Sequence, residues 1–350
     1  MEPKQSELQD LYGLDFSSLL KLTASLGGGP KMAAQLMRSL YADRPRQVEE
    51  IRGVRLEFLR RLAAVATIGQ LTVARELPSA EAEPTTKYIL AGADGAEFET
   101  VVIPARDRCT LCVSSQVGCR MGCAFCQTGK LGLVRNLTAA EIVEQVVFAR
   151  SRLPAGRSLT NVVYMGMGEP LDNFDAVWRS YTILQEQRGL AIPRNRITIS
   201  SAGYLPGLER LAMQGVPVSL ALSLNASSDA IRSEIMPVNR PWPIERLMDL
   251  ADGFPRRPDR AVMLEYVLFD GINDSEADVE RLAELLGSRK VKVNVIAYNP
   301  VPGLPFRRPP PDRVETFAAS LAARGIWTMV RESRGTDVMG ACGQLGHDSR

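Results

Sequence analysis

The spacing of apolar positions changes character twice along the chain. Leu19, Leu20 and Leu22 form a first apolar group. Met32, Leu36, Met37 and Leu40 then follow helical spacing, as do Phe58, Leu59, Leu62 and Val65. The run Gly27-Gly28-Gly29-Pro30 separates the first pair of helices. A small helical accessory domain is therefore expected over residues 1–75. Extended patterning follows at 71–74, 88–90 and 98–103, with Asp94-Gly95 as a hairpin signal. This predicts a small β extension over 76–104, bridging the helical unit to the remainder. From 105 to 350, apolar runs alternate with amphipathic stretches. Strands are expected over 111–114, 161–165, 196–200, 218–223, 261–269, 291–296 and 327–331. Helices are expected between them, among others over 139–150, 275–286 and 312–323, the last introduced by the stiff turn Pro309-Pro310-Pro311. This βαβα alternation implies a parallel sheet with right-handed crossovers. The expected fold class is α/β, a full or partial (β/α) barrel of six or more repeats. Its chemistry should sit at the C-terminal ends of the strands.

Composition narrows the picture. At 350 residues and 45% hydrophobic, the chain can bury a large core. No apolar run approaches the roughly 18 residues of a membrane span. The opening MEPKQSELQD carries no apolar segment of a secretory signal, so a cytoplasmic protein is expected. The net charge of +2 neither supports nor excludes an RNA partner, because a nucleic-acid enzyme can confine its positive charge to one face. The single histidine, His347, excludes a multi-histidine metal site and a histidine-based triad. Proton transfer falls to carboxylates, lysines, tyrosines or thiols.

The cysteines carry the sharpest signal. Five of the six (Cys109, Cys112, Cys119, Cys123 and Cys126, but not Cys342) fall within 18 residues. A disulfide framework spreads its cysteines along a small secreted chain; such crowding argues for metal or redox chemistry. Cys119-Arg-Met-Gly-Cys123-Ala-Phe-Cys126 has CxxxCxxC spacing between an expected strand and an expected helix. Three thiolates so placed can ligate three irons of a [4Fe–4S] cluster and leave the fourth open. Zinc is the alternative, with a fourth ligand from Cys109, Cys112 or Cys342. An open iron can chelate the amino and carboxylate groups of S-adenosylmethionine (SAM). Reduction then cleaves the cofactor to a 5′-deoxyadenosyl radical, and the protein's share is binding and positioning. Gly166-Met-Gly-Glu-Pro170 follows an apolar strand. Its glycines let backbone approach a ligand, and Glu169 can accept a hydrogen bond from the SAM amino group; a plain tight loop is the other reading.

Several strings together resemble the RlmN/Cfr family of radical-SAM RNA methyltransferases. They are Thr110-Leu-Cys-Val-Ser-Ser-Gln-Val-Gly-Cys119, Arg135-Asn-Leu-Thr138, Asn161-Val-Val-Tyr-Met-Gly-Met-Gly-Glu-Pro170, Glu234-Ile-Met-Pro-Val-Asn239, Arg334-Gly335 and Ala341-Cys-Gly-Gln-Leu345. The likeness is loose over the first 75 residues and tight from about residue 99. It implies a partial TIM-type radical SAM barrel, (β/α)6, that methylates an adenine ring carbon in RNA. The implied target is an adenosine of 23S rRNA, at C2 in RlmN-type members, which also act on tRNA, or at C8 in Cfr-type members. By the same resemblance, Cys342 takes a methyl from one SAM. A radical from a second SAM removes hydrogen from that methyl, and the resulting methylene adds to the base. Cys112 then attacks the Cys342 sulfur to release the product through a transient disulfide, a step that needs a thiolate. Glu99 matches the proton acceptor, a role open to a carboxylate whose pKa is tuned by burial. Gly168, Glu169, Ser200, Ser223, Leu224, Asn225 and Asn299 match SAM contacts. Asn225 departs from the family, which carries histidine there; asparagine can hydrogen-bond but cannot take up a proton. A flavodoxin- or ferredoxin-type electron donor and a monomeric chain are also implied. Arg307, Arg308, Arg313, Arg331 and Arg334 are candidate phosphate contacts or a solvated face, and Cys109 is read as incidental.

Overall fold

Local start signals set the helices of the N-terminal unit. The computed structural model describes residues 8–69, 71–257, 259–287 and 289–346, so His347 lies outside the described residues. After strand β1 (Gln9–Asp10), Asp15 caps α1 (Phe16–Ser25) by accepting a hydrogen bond from the Ser18 N–H at 2.7 Å. Pro30 opens α2 (Pro30–Ala42), where a missing N–H costs nothing. Helix α3 (Leu56–Ala63) follows, and β2 (Ala66–Thr67) returns to pair with β1 in parallel. Leu19, Leu36, Met37, Leu40, Phe58, Leu59 and Leu62 are buried in a core continuous with that of the barrel.

Three antiparallel strands come next: β3 (Thr72–Pro78), β4 (Thr86–Ala91) and β5 (Glu97–Ala105). They differ from the expected bridging sheet. β5 pairs antiparallel with β6 (Arg108–Cys112), the first barrel strand, so the extension is part of one ten-stranded sheet. β3 begins at Thr72, so the helical unit ends short of the expected boundary at 75. A hairpin absent from the sequence reading follows, β7 (Gln116–Gly118) against β8 (Leu133–Asn136), with α4 (Gln127–Leu131) inside its loop. Gly118 permits it: its φ is +74°, and a Cβ there would strike the Gly132 carbonyl oxygen. Thr138 and Glu141 form a reciprocal cap on α5 (Ala139–Arg152).

The remaining strands and helices alternate. They are β9 (Asn161–Tyr164), α6 (Phe174–Gln185), β10 (Ile197–Ser201), α7 (Leu205–Met213), β11 (Ser219–Ser223), α8 (Asp229–Ile235), α9 (Ile244–Gly253), β12 (Val262–Leu268), α10 (Glu276–Leu286), β13 (Val291–Ala297), α11 (Pro311–Ala323) and β14 (Thr328–Val330). The sheet order β6-β9-β10-β11-β12-β13-β14 is parallel throughout, so six helix-bearing crossovers make the expected partial (β/α)6 barrel. The expected strands fall within three residues of the observed ones at either end. Among the described residues no helix is long and apolar enough to cross a membrane.

Candidate active site

The cysteine loop lies at the C-terminal ends of the barrel strands. There a cavity of about 160 Å³ is lined by Cys119, Cys123 and Cys126 on one side, and by Ser200, Ser223, Glu265 and Asn299 from the strand ends. The three thiols are electrostatic neighbours, and burial dominates their acidity: it pushes Cys119 up to about 12, Cys123 well above the ordinary thiol value, and Cys126 upward. The three thiols line one cavity from a single loop. A zinc ion draws its sulfur donors to about 2.3 Å of one centre. A cubane instead gives each thiolate its own iron. Three thiols on one cavity wall fit an iron–sulfur cluster with one iron left open, and the cluster's charge would hold them deprotonated against the cost of burial.

The glycine-rich turn after β9 serves packing. A Cβ on Gly166 would come within 2.7 Å of Ser114 Oγ, and one on Gly168, whose φ is +99°, within 2.6 Å of Gln116 Cβ. These glycines bring the turn against the segment leading into the cysteine loop, and both also line the cavity. Glu169 is thereby held at the cavity wall, 3% exposed. Its carboxylate accepts from the Ala202 N–H at 2.7 Å and the Leu171 N–H at 3.1 Å. Burial outweighs these bonds and raises the group to about 7.

Asn225 lies at the cavity in a left-handed conformation, φ +55°, which asparagine and histidine tolerate better than most residues. Its Oδ1 accepts from the Val267 N–H at 2.9 Å, so the side chain also ties β11 to β12. Ser200, Ser223, Gly168 and Asn299 line the cavity. Leu224 does not: its side chain is fully buried in the core, and its carbonyl accepts from Arg232 Nε at 3.0 Å. Leu224 can therefore reach a ligand only through its backbone.

Cys342 lines the same cavity, on a C-terminal loop fastened from several sides. Asn299 Nδ2 donates to the Cys342 carbonyl at 3.1 Å, the Gln127 N–H to the Gly343 carbonyl at 2.8 Å, and Thr128 Oγ1 to the Leu345 carbonyl at 2.6 Å. Cys112, at the end of β6, lies behind the wall as an electrostatic neighbour of Cys342. Burial pushes the Cys112 thiol up to about 12, and Arg331 acts in the opposite direction. All six cysteines are free thiols, so the expected disulfide between Cys112 and Cys342 is not formed in this state.

Glu99 is fully buried on β5 outside the cavity lining. It pairs with the equally buried Lys87 at 3.4 Å, and Lys87 Nζ also donates to the Met339 carbonyl of the Cys342 loop at 3.3 Å. The structure thus does not bring Glu99 to the cavity. Of the five arginines read as phosphate contacts or a solvated face, Arg331 lines the cavity beside Glu265 and the two thiols. Arg307 pairs with Asp270 at 3.1 Å, Arg308 donates to Asn299 Oδ1 at 3.2 Å, Arg313 pairs with Asp274 at 3.5 Å, and Arg334 donates to the Pro104 carbonyl at 3.1 Å. A separate hollow of about 1160 Å³ is a basic groove at the N-terminal ends of the strands and is lined by none of the thiols.

Sequence reasoning missed Arg232, Glu265, Asn294 and Lys87. Arg232 is wholly buried and donates to the carbonyls of Leu224, Ala202 and Ser223 and to Asn239 Oδ1, at 2.7–3.0 Å, joining the ends of β10 and β11. Its charge also lowers Cys123, though burial remains the larger effect there. The one signal for Glu265 was an acid inside an otherwise apolar strand, Val-Met-Leu-Glu-Tyr-Val-Leu.

Comparison with known proteins gives the family of the chain. Residues 113–286 match the Radical SAM superfamily. The chain is 42% identical over 349 residues to a dual-specificity RNA methyltransferase RlmN of Anaeromyxobacter sp. (strain Fw109-5), covering 98% of this chain and 92% of that protein. It is also 42% identical to a dual-specificity RNA methyltransferase RlmN 2 of Myxococcus xanthus (strain DK1622), over 99% of this chain and 92% of the relative. Among solved structures, a radical SAM methyltransferase from Sphaerobacter thermophilus superposes with a TM-score of 0.91 at 42% identity, over 97% of this chain and 99% of that one. The superfamily works with an iron–sulfur cluster and SAM, and the cavity has the thiols and polar strand ends to receive both. With its barrel, its thiol loop and this similarity over almost its full length, the chain belongs to the RlmN family of radical SAM RNA methyltransferases.

Proposed function

We propose that the protein methylates C2 of an adenosine in RNA, in 23S rRNA and in tRNA, by way of a methyl carried on Cys342. The observation that carries this reading is the placing of Cys342 at the wall of the cavity lined by Cys119, Cys123 and Cys126, with Cys112 beside it. A plain SAM-cleaving enzyme has no need of that second pair of thiols.

Cys119, Cys123 and Cys126 would hold the [4Fe–4S] cluster. Gly168, Glu169, Ser200, Ser223, the Leu224 backbone, Asn225 and Asn299 would hold SAM. When bound, the pair supplies a methyl group and a carbon-centred radical. The chain's residues do the rest. Cys342 Sγ carries the methyl, and Asn299 and Gln127 fix its loop through backbone carbonyls. Once that carbon is joined to the base, Cys112 attacks the Cys342 sulfur. An S–S bond forms as the S–C bond breaks. The electron pair of that bond passes to the carbon joined to the base, which takes up a proton to become the methyl group. An external donor of flavodoxin or ferredoxin type then supplies the two electrons that, with two protons, restore both thiols. Arg331, next to both sulfurs, favours the Cys112 thiolate against burial. Glu99 remains the proposed proton acceptor, a role for which its carboxylate would have to leave Lys87 and come within hydrogen-bond reach of the base.

The test is anaerobic incubation of the reconstituted, reduced protein with SAM and unmodified 23S rRNA fragments or tRNA. The RNA is then digested and analysed by mass spectrometry. The reading expects 2-methyladenosine. An 8-methyladenosine product would overturn the regiochemistry, and SAM cleavage with no methyladenosine would overturn RNA as the substrate.

A further inference from the structure

We propose that Glu265 and Arg331 read the amino edge of the adenine that is methylated; this rests on the function proposed above. β12 and β13 pair with Glu265 opposite Asn294, so both side chains project from the same face. Each residue is 6% exposed. Asn294 Nδ2 donates to Glu265 Oε1 at 3.2 Å, and Arg331 Nη1 stands 3.9 Å from the same oxygen. Glu265 Oε2 has no hydrogen-bond partner among the described residues. Glu265 and Arg331 both line the cavity. A buried acceptor left unmatched is costly. A carboxylate kept this way at a cavity wall is arranged for a ligand that donates to it.

The chemistry of that ligand follows from the neighbours. Glu265 Oε2 offers an acceptor, and the adjoining guanidinium offers donors. The complement is an edge with an amino group beside an unprotonated ring nitrogen, which adenine presents through N6 and a neighbouring nitrogen. Guanine would turn a carbonyl oxygen toward the carboxylate and be repelled. Both SAM and the target nucleotide contain adenine. The geometry favours the target, because Arg331 is the cation beside Cys342 and Cys112, the thiols that meet the target base. Glu265 and Arg331 are thus specificity residues for the base. Nothing at them requires contact with phosphate.

The experiment compares one RNA substrate carrying adenosine at the target position with the same RNA carrying purine riboside there, which lacks the 6-amino group. The kcat/KM ratio between the two is measured for the wild type, Glu265→Ala and Glu265→Gln, together with the SAM affinity of each. Using ratios cancels any intrinsic difference in reactivity of the two bases. The ratio is expected to fall by about tenfold or more in Glu265→Ala. In the isosteric Glu265→Gln, which keeps a weaker acceptor, it is expected to fall by a smaller factor; this variant carries the test if the alanine protein does not fold. SAM affinity should stay within twofold of the wild type. An unchanged ratio in the variants overturns the proposal. So does a tenfold loss of SAM affinity, which would place Glu265 on the cofactor's adenine. Wild-type protein that leaves the adenosine RNA unmethylated overturns the function proposed above as well, whereas methylation with an unchanged ratio overturns this inference alone.

Discussion

Glu169 shows how burial at the site leaves a mark on stability. Its folded value of about 7 lies above the ordinary 4.5, because desolvation outweighs the bonds from Ala202 and Leu171. A carboxyl raised in the folded state contributes stability that is complete below pH 4.5 and is lost as pH rises to about 7. The loss is at most about 3 kcal/mol. Glu169→Gln has no charge to bury. In cluster-free protein, its unfolding free energy relative to wild type should therefore rise by about 1–3 kcal/mol between pH 4.5 and 7.5; denaturant titrations at both pH values check this. At this scale the sequence showed the residues that come in strings. Cys119, Cys123 and Cys126 stand in a motif whose spacing is itself the chemistry, and Cys342 stands in a string that only the family resemblance makes meaningful. Glu265, Asn294 and Arg232 are single polar residues in apolar surroundings. Only the pairing of β12 with β13, and the meeting of the ends of β10 and β11, give them neighbours.

The three-stranded extension gains its meaning from one buried ion pair. Lys87 on β4 and Glu99 on β5 are both fully buried, and Lys87 reaches across to the Met339 carbonyl. The extension therefore anchors the loop that carries Cys342. Removing one partner of such a pair strands a charge in the core and costs about 3–5 kcal/mol, whereas replacing both is far milder. Lys87→Met should accordingly destabilise the protein by about that amount, and adding Glu99→Gln should recover most of it; a double-mutant cycle in denaturant measures both. Methylation that also returns in the double variant would assign Glu99 an anchoring role, and methylation that stays lost would assign it the proton. The strands β4 and β5 were legible from their apolar runs. The pair between them was not, because a lysine and a glutamate on neighbouring strands look like surface residues until the sheet is known to be covered on both faces. The hairpin of β7 and β8 escaped for a similar reason: it depends on Gly118 meeting Gly132, a contact between positions far apart in sequence.

At the scale of the molecule, the alternation of period in the sequence was enough to give a parallel barrel, since crossovers of one hand leave few other arrangements. Its closing segment was not legible from pattern. Residues 331–346 contain no helix or strand, yet they run from β14 to the cysteine loop and to the extension, held by bonds such as Arg334 to the Pro104 carbonyl and Gln344 to the Pro300 carbonyl. Only the family strings pointed there. This segment brings Cys342 to the cavity and to Cys112, which lies 230 residues earlier in the chain. The central claim is that these two thiols act in sequence on an RNA base. Cys112→Ala, incubated with SAM, reductant and substrate RNA and then digested with protease and nuclease, tests it most directly by mass spectrometry. The expected result is a Cys342 peptide joined to a methylene-bridged adenosine that builds up because nothing releases it. Free methyladenosine at the wild-type rate, with no such adduct, would contradict the account.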